Sequence, residues 1–134
     1  PDLASQVEAT RTALSAARIH VDVTGSAQDI PERQRALMAW ALREATTNVV
    51  RHAKAATVAV HLEPGLLRVS DDGVGLAGDK PGNGLAGLRS RCEQEGGSLT
   101  MTSPLTGRTD SSGAGMTDSA GVTTGGTRLE VRLP

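Results

Sequence analysis

The distribution of apolar side chains in the first part of the chain predicts a helix, a strand and a second, longer helix. Apolar residues recur at helical spacing over residues 2–17, and apolar and polar residues alternate over 19–23 as in a half-buried strand. Pro31 suits the first turn of the second helix, which we expect to run to about Ala53. The apolar residues that predict its core face are Met38, Leu42, Ala45 and Val49.

The second part of the chain is mainly strand-patterned. Glu63-Pro64-Gly65 separates two such patterns and predicts a tight hairpin turn. The predicted elements are strands over 57–62 and 66–70, a helix over 84–96 with Leu85, Leu88 and Cys92 turned inward, and strands over 98–102 and 128–133. Because the strands come in hairpins, we expect a mixed, mainly antiparallel sheet with helices on one face, which is a two-layer α/β sandwich.

Composition narrows the class of protein. The chain has 134 residues, 37% hydrophobic and 22% charged, as expected for one globular domain. With no Phe or Tyr and a net charge of -1, it resembles neither a platform for single-stranded nucleic acid nor a general binder of phosphate backbones. Cys92 is the only cysteine, so no intramolecular disulfide can form. No run approaches the roughly 20 apolar residues that a membrane span requires.

Two regions stand apart from this pattern. Residues 103–125 are rich in Gly, Ser and Thr, and we expect a flexible loop within the single domain, because such a segment buries too little apolar surface to offset its ordering entropy. The chain opens at Pro1 without a Met, and we expect it to be a piece of a longer protein.

The candidate chemistry begins on the long helix. Glu44 and Asn48 are four residues apart, so their side chains project side by side next to the core face. A carboxylate and a carboxamide in this arrangement can hold a hydrated Mg²⁺, and the Glu can also orient or deprotonate a water or hydroxyl. Arg51 and His52, one turn on, can donate to phosphate oxygens. For this segment alone, the alternative is a solvated helix edge with routine polar residues.

A second motif, Asp71-Asp72-Gly73-Val74-Gly75, follows directly on a predicted strand. A carboxylate at a strand end, buried in an adenine pocket, can accept a hydrogen bond from the exocyclic amine that distinguishes adenine from guanine. The glycines let the backbone turn sharply and approach a ligand ring closely. An ordinary Asp-Gly turn is the alternative interpretation.

A third motif, Gly82-Asn83-Gly84-Leu85-Ala86-Gly87, stands at the head of a predicted helix. Exposed N–H groups and the helix dipole make such a place suitable for anions. This glycine spacing indicates a dinucleotide-binding turn only after the first strand of a βαβ unit, and here it follows a loop deep in the chain. A P-loop is excluded, because no Gly-Lys-Ser/Thr sequence occurs.

In their order and spacing, these motifs resemble those of the GHKL superfamily of ATP-binding domains. The resemblance is closest to catalytic domains of sensor histidine kinases of the nitrate-sensor and desaturase-sensor type, which carry REAxxNxxRHAxA, then DDGxG, then GxGLxGLRxRxExxGG. Residues 43–55 and 82–97 match nearly without a gap, and the resemblance extends from about Ile19 to Pro134, apart from 103–125. It implies a Bergerat-type ATP-binding fold with ATP and Mg²⁺ as cofactors.

The resemblance also implies a role for each motif residue. Glu44 is the implied general base or water-orienting group, and Asn48 the Mg²⁺ ligand. The residues implied to bind the nucleotide are, near the phosphates, Arg51, His52, Gly82, Gly84, Leu85 and Gly87, and, around the adenine, Asp71, Gly73, Gly75 and Thr127. Leu85 is expected to pack under the short lid over 76–81 rather than to touch phosphate. Thr127 is expected to lie beside Asp71 and to reach the adenine through water.

By the same resemblance, the domain presents the γ-phosphate of ATP to a histidine on a separate dimerisation domain of the same protein, for later transfer to a response regulator. None of the three histidines here lies in the family's phosphoacceptor context, so the isolated chain is expected to bind ATP without phosphorylating itself. The parent is expected to be a homodimer, with this domain in the cytoplasm and in contact with neither nucleic acid nor membrane, even where the parent is anchored in the bacterial cell membrane.

Two alternatives stay open at this point. One is a serine kinase and binding protein of the anti-sigma-factor type in the same superfamily. The other is a degenerate module that binds nucleotide without turnover, against which the presence of Glu44 and Asn48 argues.

Overall fold

Helices and strands follow one another in the order that the sequence pattern predicts. The computed structural model describes residues 2–53, 55–73, 83–102 and 126–134. In these ranges the α-helices are α1 (Leu3–Ala16), α2 (Glu32–Asn48) and α3 (Asn83–Gln94), and the strands are β1 (His20–Thr24), β2 (Thr57–Glu63), β3 (Leu66–Asp71), β4 (Ser98–Thr102) and β5 (Thr127–Arg132). A 3-10 turn, Ala27–Asp29, precedes α2, and a π-helical turn, Val49–Ala53, continues it.

The strands form one five-stranded sheet in the order β1-β2-β3-β5-β4. β1 runs parallel to β2, and the other three pairs are antiparallel. In the register of the central pair, Asp71 at the end of β3 lies opposite Thr127 at the start of β5. The pairing therefore places the last residue of β3 beside the first residue of β5.

The hydrophobic core lies between one face of the sheet and the helices. Along β2, Val58, Val60 and Leu62 are buried, and the residues between them lie on the opposite face. The fully buried large side chains are aliphatic apart from Thr10, and they include Leu3, Leu14, Ile30, Met38, Leu42, Leu67, Leu88 and Leu129. No helix in the described ranges has the length and apolar character needed to cross a membrane.

The predicted fold class is confirmed: helices cover one face of a mostly antiparallel sheet. Most predicted boundaries differ from those of the structure by one or two residues. The predicted loop over 103–125 and lid over 76–81 lie outside the described residues.

The end of the second helix differs from the prediction in its winding. The α-helix ends at Asn48, and the chain then turns as a π-helix to Ala53. Just before the change, the hydroxyls of Thr46 and Thr47 donate to the carbonyls four residues back, at 2.7 and 3.0 Å. Such bonds compete with the helical ladder and bend a helix, which is consistent with a change of winding at this point.

Asp72, directly after β3, holds the start of β2 in place. Its Oδ1 accepts the backbone N–H groups of Ala56 and Thr57, both at 2.9 Å. Its own N–H donates to the Thr57 carbonyl at 3.3 Å. These bonds join the end of β3 to the start of β2, next to Asp71.

Replacing Asp72 by Ala should lower the free energy of unfolding by about 1–2 kcal/mol, because two backbone N–H groups lose a charged acceptor. Asp72→Asn retains an oxygen acceptor in the same place and should lose clearly less. Urea denaturation followed by circular dichroism measures both variants. Equal stability of the wild type and the Ala variant would contradict this role.

Candidate functional site

Three elements meet where β3 ends and β5 begins, and they enclose a small cavity. Asn48 ends α2, Asp71 ends β3 and Thr127 begins β5. About 310 Å³ of empty space, part of it open to solvent, lies between them. The residues that line it are Ala45, Asn48, Val49, Val69, Asp71, Met101, Thr127 and Leu129. Apolar walls with a few convergent polar groups are typical of small-molecule sites.

A larger hollow of about 660 Å³ lies at the other end of α2, between α2, α3 and the end of the chain. Leu37, Trp40 and Leu133 are among the residues that line it. None of the lining residues belongs to the predicted site. The smaller cavity is therefore the candidate site, because it joins three residues that the motifs single out.

Strand alternation explains why a carboxylate lies in an apolar wall. Val69 and Asp71 are two residues apart and thus share the inner face of β3. Asp71 and its cross-strand partner Thr127 are only 8% and 7% exposed. A strand that places Val69 in the core therefore also buries Asp71, its last residue.

Burial raises the pKa of the Asp71 carboxyl above its ordinary value of 3.8. The backbone N–H of Gly73, which donates to Asp71 Oδ1 at 2.8 Å, opposes that rise, as does a hydrogen bond from the Thr127 backbone. The negative charge of Asp72 adds to it. Since an ionised carboxylate has about four acceptor positions, Asp71 retains the capacity to accept a ligand donor.

Gly73 was predicted to shape the pocket, and its backbone joins the two strand ends there. Besides donating to Asp71, Gly73 accepts the N–H of Gly126 at its carbonyl. Gly126 has φ +93°, a conformation that L side chains rarely adopt. The two glycines thus connect the end of β3 to the start of β5, next to Asp71 and Thr127. Gly75, the other glycine of this motif, lies outside the described residues.

The amide nitrogen of Asn48 is buried and has no hydrogen-bond partner among the residues that the structure describes. A buried donor left unpaired costs about 1–3 kcal/mol. A ligand oxygen or a bound water in the cavity would remove that cost. The carboxamide oxygen is a ligand type that Mg²⁺ accepts, and Mg²⁺ in nucleotide sites usually needs only one or two protein groups besides phosphates and water. The side chain therefore fits the role that the sequence predicts.

Glu44 stands one turn before Asn48 on α2, with its side chain 25% exposed. It forms an ion pair at 4.0 Å with Arg43, whose side chain is largely in solvent, so this pair adds little stability. Arg51 is exposed on the π-helical turn, and His52 follows it there. The described side chains that line the cavity include neither Glu44 nor Arg51, and the predicted roles of Glu44, Arg51 and His52 stay predictions.

The third motif is described only from Asn83 onward, and Gly82 lies outside that range. Gly84 falls in the first turn of α3, and Leu85 belongs to the hydrophobic core. The predicted packing of Leu85 under the lid stays a prediction. Gly87 faces Trp40 of α2: a Cβ built on it would lie 3.8–3.9 Å from the indole ring. Its observed surroundings are therefore those of a helix contact.

Sequence reasoning missed the apolar walls of the cavity. Val69, Met101 and Leu129 sit on the inner face of neighbouring strands, near the site edge. The sequence predicts strands at these positions, but only the order β3-β5-β4 shows that the three side chains line one cavity. Among the described residues no cluster of three or more His, Cys, Asp or Glu side chains could hold a metal ion.

Solved structures with the same fold include histidine kinase domains. The histidine kinase domain from the Erythrobacter litoralis EL346 blue-light activated histidine kinase has a TM-score of 0.62 at 18% identity, over 99% of this chain and 65% of that chain. The cytoplasmic segment of histidine kinase QseC has a TM-score of 0.60 at 17% identity, over 98% of this chain and 72% of that chain. Acinetobacter baumannii histidine kinase AdeS has a TM-score of 0.60 at 14% identity, over 98% of this chain and 64% of that chain.

These likenesses show that the chain has the fold of histidine kinase domains. Nearly the whole chain aligns with the Erythrobacter litoralis kinase domain, but the chain spans less than two-thirds of the length of that structure. No protein family model matches the sequence.

Asp71→Asn should gain stability relative to the wild type as the pH rises from 3.8 through the folded-state pKa of Asp71. Because that pKa is raised, the folded wild type binds this proton more tightly than the unfolded chain and loses stability over the window. The neutral Asn has no such loss. Chemical denaturation at a series of pH values measures the difference in free energy of unfolding.

Glu130→Gln is the control, because the pKa of Glu130 is shifted in the opposite direction to that of Asp71. The hydrogen bond from Arg68 Nε, at 2.7 Å, lowers the pKa of Glu130 below 4.5, so the wild type loses this contribution as the pH falls. The Gln variant should therefore become less stable than the wild type as the pH rises. A constant difference for Asp71→Asn, beside the expected trend for Glu130→Gln, would contradict the raised pKa.

Proposed function

We propose that this chain is the ATP-binding catalytic domain of a two-component sensor histidine kinase. It binds ATP with Mg²⁺ and presents the γ-phosphate to a histidine on the dimerisation domain of the same protein, from which a response regulator takes it. The observation that carries the proposal is the buried carboxylate of Asp71 in the wall of an apolar cavity, which the Asn48 side chain also lines with an amide nitrogen that has no partner in the described part of the chain.

Asp71 suits an adenine reader because it can accept and cannot donate when ionised. The walls of the cavity, which include Val49, Val69 and Leu129, offer the apolar surface that a flat base requires. Guanine presents a carbonyl where adenine presents its amine, and a carbonyl facing the Asp71 carboxylate would leave two acceptors opposed. Asp71 therefore discriminates between the two bases as well as binding one.

Asn48 lines the cavity at the end of α2, one turn after Glu44, and Arg51 follows on the π-helical turn. Its carboxamide oxygen would hold Mg²⁺, and its amide nitrogen would then donate to a phosphate oxygen or to a water on the metal. Bound Mg²⁺ neutralises charge on the transferring phosphoryl group. Arg51 and His52 supply further donors to the phosphates, and Glu44 orients a water or the incoming nucleophile.

The accepting histidine belongs to another domain of the parent protein. His20, His52 and His61 lie on β1, on the π-helical turn and on β2, outside the sequence context of a phosphoacceptor. The chain is thus the donor half of the reaction, and its described part contributes positioning and charge to phosphoryl transfer.

The first experiment is calorimetric titration with ADP and with GDP, in the presence and absence of Mg²⁺. ADP should bind and GDP should bind far more weakly. Asp71→Asn should weaken ADP binding by about 10- to 100-fold, the range for losing a hydrogen bond to a charged group. Asp22→Asn, which changes an exposed carboxylate on β1, is the matched control and should bind like the wild type. Equal binding of ADP and GDP by the folded wild type would refute the adenine-reading role.

A second experiment separates the metal from the base. Asn48→Ala should abolish most of the gain in ADP affinity that Mg²⁺ gives, while changing metal-free binding by less than about threefold, because the base pocket keeps Asp71. Thr47→Ala, one residue earlier and exposed, is its control. Full Mg²⁺ dependence in the Asn48 variant would show that another group holds the metal.

A further inference from the structure

A line of buried polar side chains connects α1 to the last turn of α2. Gln6 Nε2 donates to Thr10 Oγ1 at 3.3 Å, and Thr10 Oγ1 lies 2.9 Å from Thr46 Oγ1. Thr46 Oγ1 in turn donates to the Leu42 carbonyl at 2.7 Å. Thr10 is 1% exposed and Thr46 8%, in a core that is otherwise aliphatic. We name these three side chains, Gln6, Thr10 and Thr46, the polar ladder.

The direction of every hydrogen bond in the polar ladder follows from proton counting. A carbonyl cannot donate, so the single hydroxyl proton of Thr46 goes to Leu42. The proton between the two threonines must therefore come from Thr10. Thr10 then has lone pairs left for the amide of Gln6. Both hydroxyl protons of the polar ladder are thus assigned: Thr46 donates to Leu42, and Thr10 donates to Thr46. The hydrogen bond between α1 and α2 therefore has one direction.

The polar ladder ends where the candidate site begins. Thr46 precedes Asn48 by two residues, and the winding changes from α to π immediately after Asn48. Within this turn the hydroxyls of Thr46 and Thr47 donate to the carbonyls of Leu42 and Arg43. On the buried side of this turn, the hydrogen bond from Thr10 to Thr46 connects it to α1.

The orientation of the Asn48 side chain depends on that hydrogen bond, because its amide nitrogen has no hydrogen-bond partner in the described residues. Its direction is set by the backbone of the turn that carries it. From this geometry, and resting on the function proposed above, we infer that Thr10 is a positioning residue for the magnesium site: through Thr46 it orients the Asn48 turn. α1, which carries no motif residue, would thus take part in nucleotide binding without touching the ligand.

Thr47 provides a matched comparison within the same turn. Its hydroxyl makes the same bond to the carbonyl four residues back as that of Thr46. However, Thr47 is exposed and has no described contact with α1. A variant at Thr47 therefore removes a hydroxyl from this turn and leaves the polar ladder intact.

The test compares Thr10→Val, Thr46→Val, the double variant and Thr47→Val, with Thr10→Ser as the conservative variant. ADP affinity is measured by calorimetry with and without Mg²⁺, alongside stability by urea denaturation. Thr10→Val should reduce the gain in affinity that Mg²⁺ gives by about three- to tenfold, the range that one net hydrogen bond allows. Metal-free binding should change by less than about twofold, since the base pocket is untouched. Thr10→Ser and Thr47→Val should retain the wild-type gain.

The double variant distinguishes positioning from stability. Replacing both hydroxyls by methyl groups of the same shape leaves no unpaired threonine, although the Gln6 amide loses its acceptor, so the double variant should be less destabilised than the two single variants added together. If the polar ladder only stabilises the fold, the double variant should recover both stability and the Mg²⁺-dependent gain. Positioning requires that the gain stays reduced while stability recovers. Recovery of both, or a wild-type gain in either folded single variant, overturns the inference.

Amide hydrogen exchange without nucleotide keeps this test separate from that of the proposed function. Exchange over residues 46–53 should accelerate in Thr10→Val and Thr46→Val and stay unchanged in Thr47→Val. Absence of ADP binding by the folded wild type would refute the proposed function alone, and the exchange data would then decide whether the polar ladder orders the turn. Unchanged exchange in the Thr10 and Thr46 variants overturns the inference whatever the nucleotide data show.

Discussion

The packing of α2 on the inner face of the sheet determines where the candidate site residues stand. Its buried stripe, which includes Met38, Leu42 and Ala45, lies against β3 and β5 within one hydrophobic core. A close-packed core resists sliding and rotation of a helix. The last turn of α2 is therefore fixed in position relative to the end of β3 and the start of β5. Asn48 meets Asp71 and Thr127 there, and the cavity between them follows from that meeting.

Polar side chains hold α2 at both of its ends. At the first turn, the buried amide of Gln34 accepts the N–H of Gly65 at 2.8 Å and donates to the Pro134 carbonyl at 2.9 Å. At the last turn, Thr46 bonds to Thr10 of α1. Without Phe or Tyr, the core has few large rigid side chains, and directional bonds of this kind specify the register of a helix on an aliphatic surface. The single Trp, Trp40, packs between these two ends, facing Gly87 of α3.

The site itself is the part of the fold that carries unfavourable polar burial. Burial raises the pKa of Asp71, and the amide nitrogen of Asn48 lacks a partner among the described residues. Both features oppose folding, because burying a polar or charged group without full compensation is costly. Both groups face one cavity, and groups of this kind concentrate where a ligand completes their hydrogen bonds.

The sequence by itself determined the class of the fold and most element boundaries, because periodicity and turn residues act over a few neighbouring positions. It also singled out Asp71, Asn48 and Thr127 through motif order. What only the tertiary structure decided depends on segments distant in the chain. The parallel pairing of β1 with β2, the two N–H groups held by Asp72, and the bond between Thr10 and Thr46 are of this kind. No local pattern encodes such contacts, because packing selects the partner of a polar group only after the helices and strands have met.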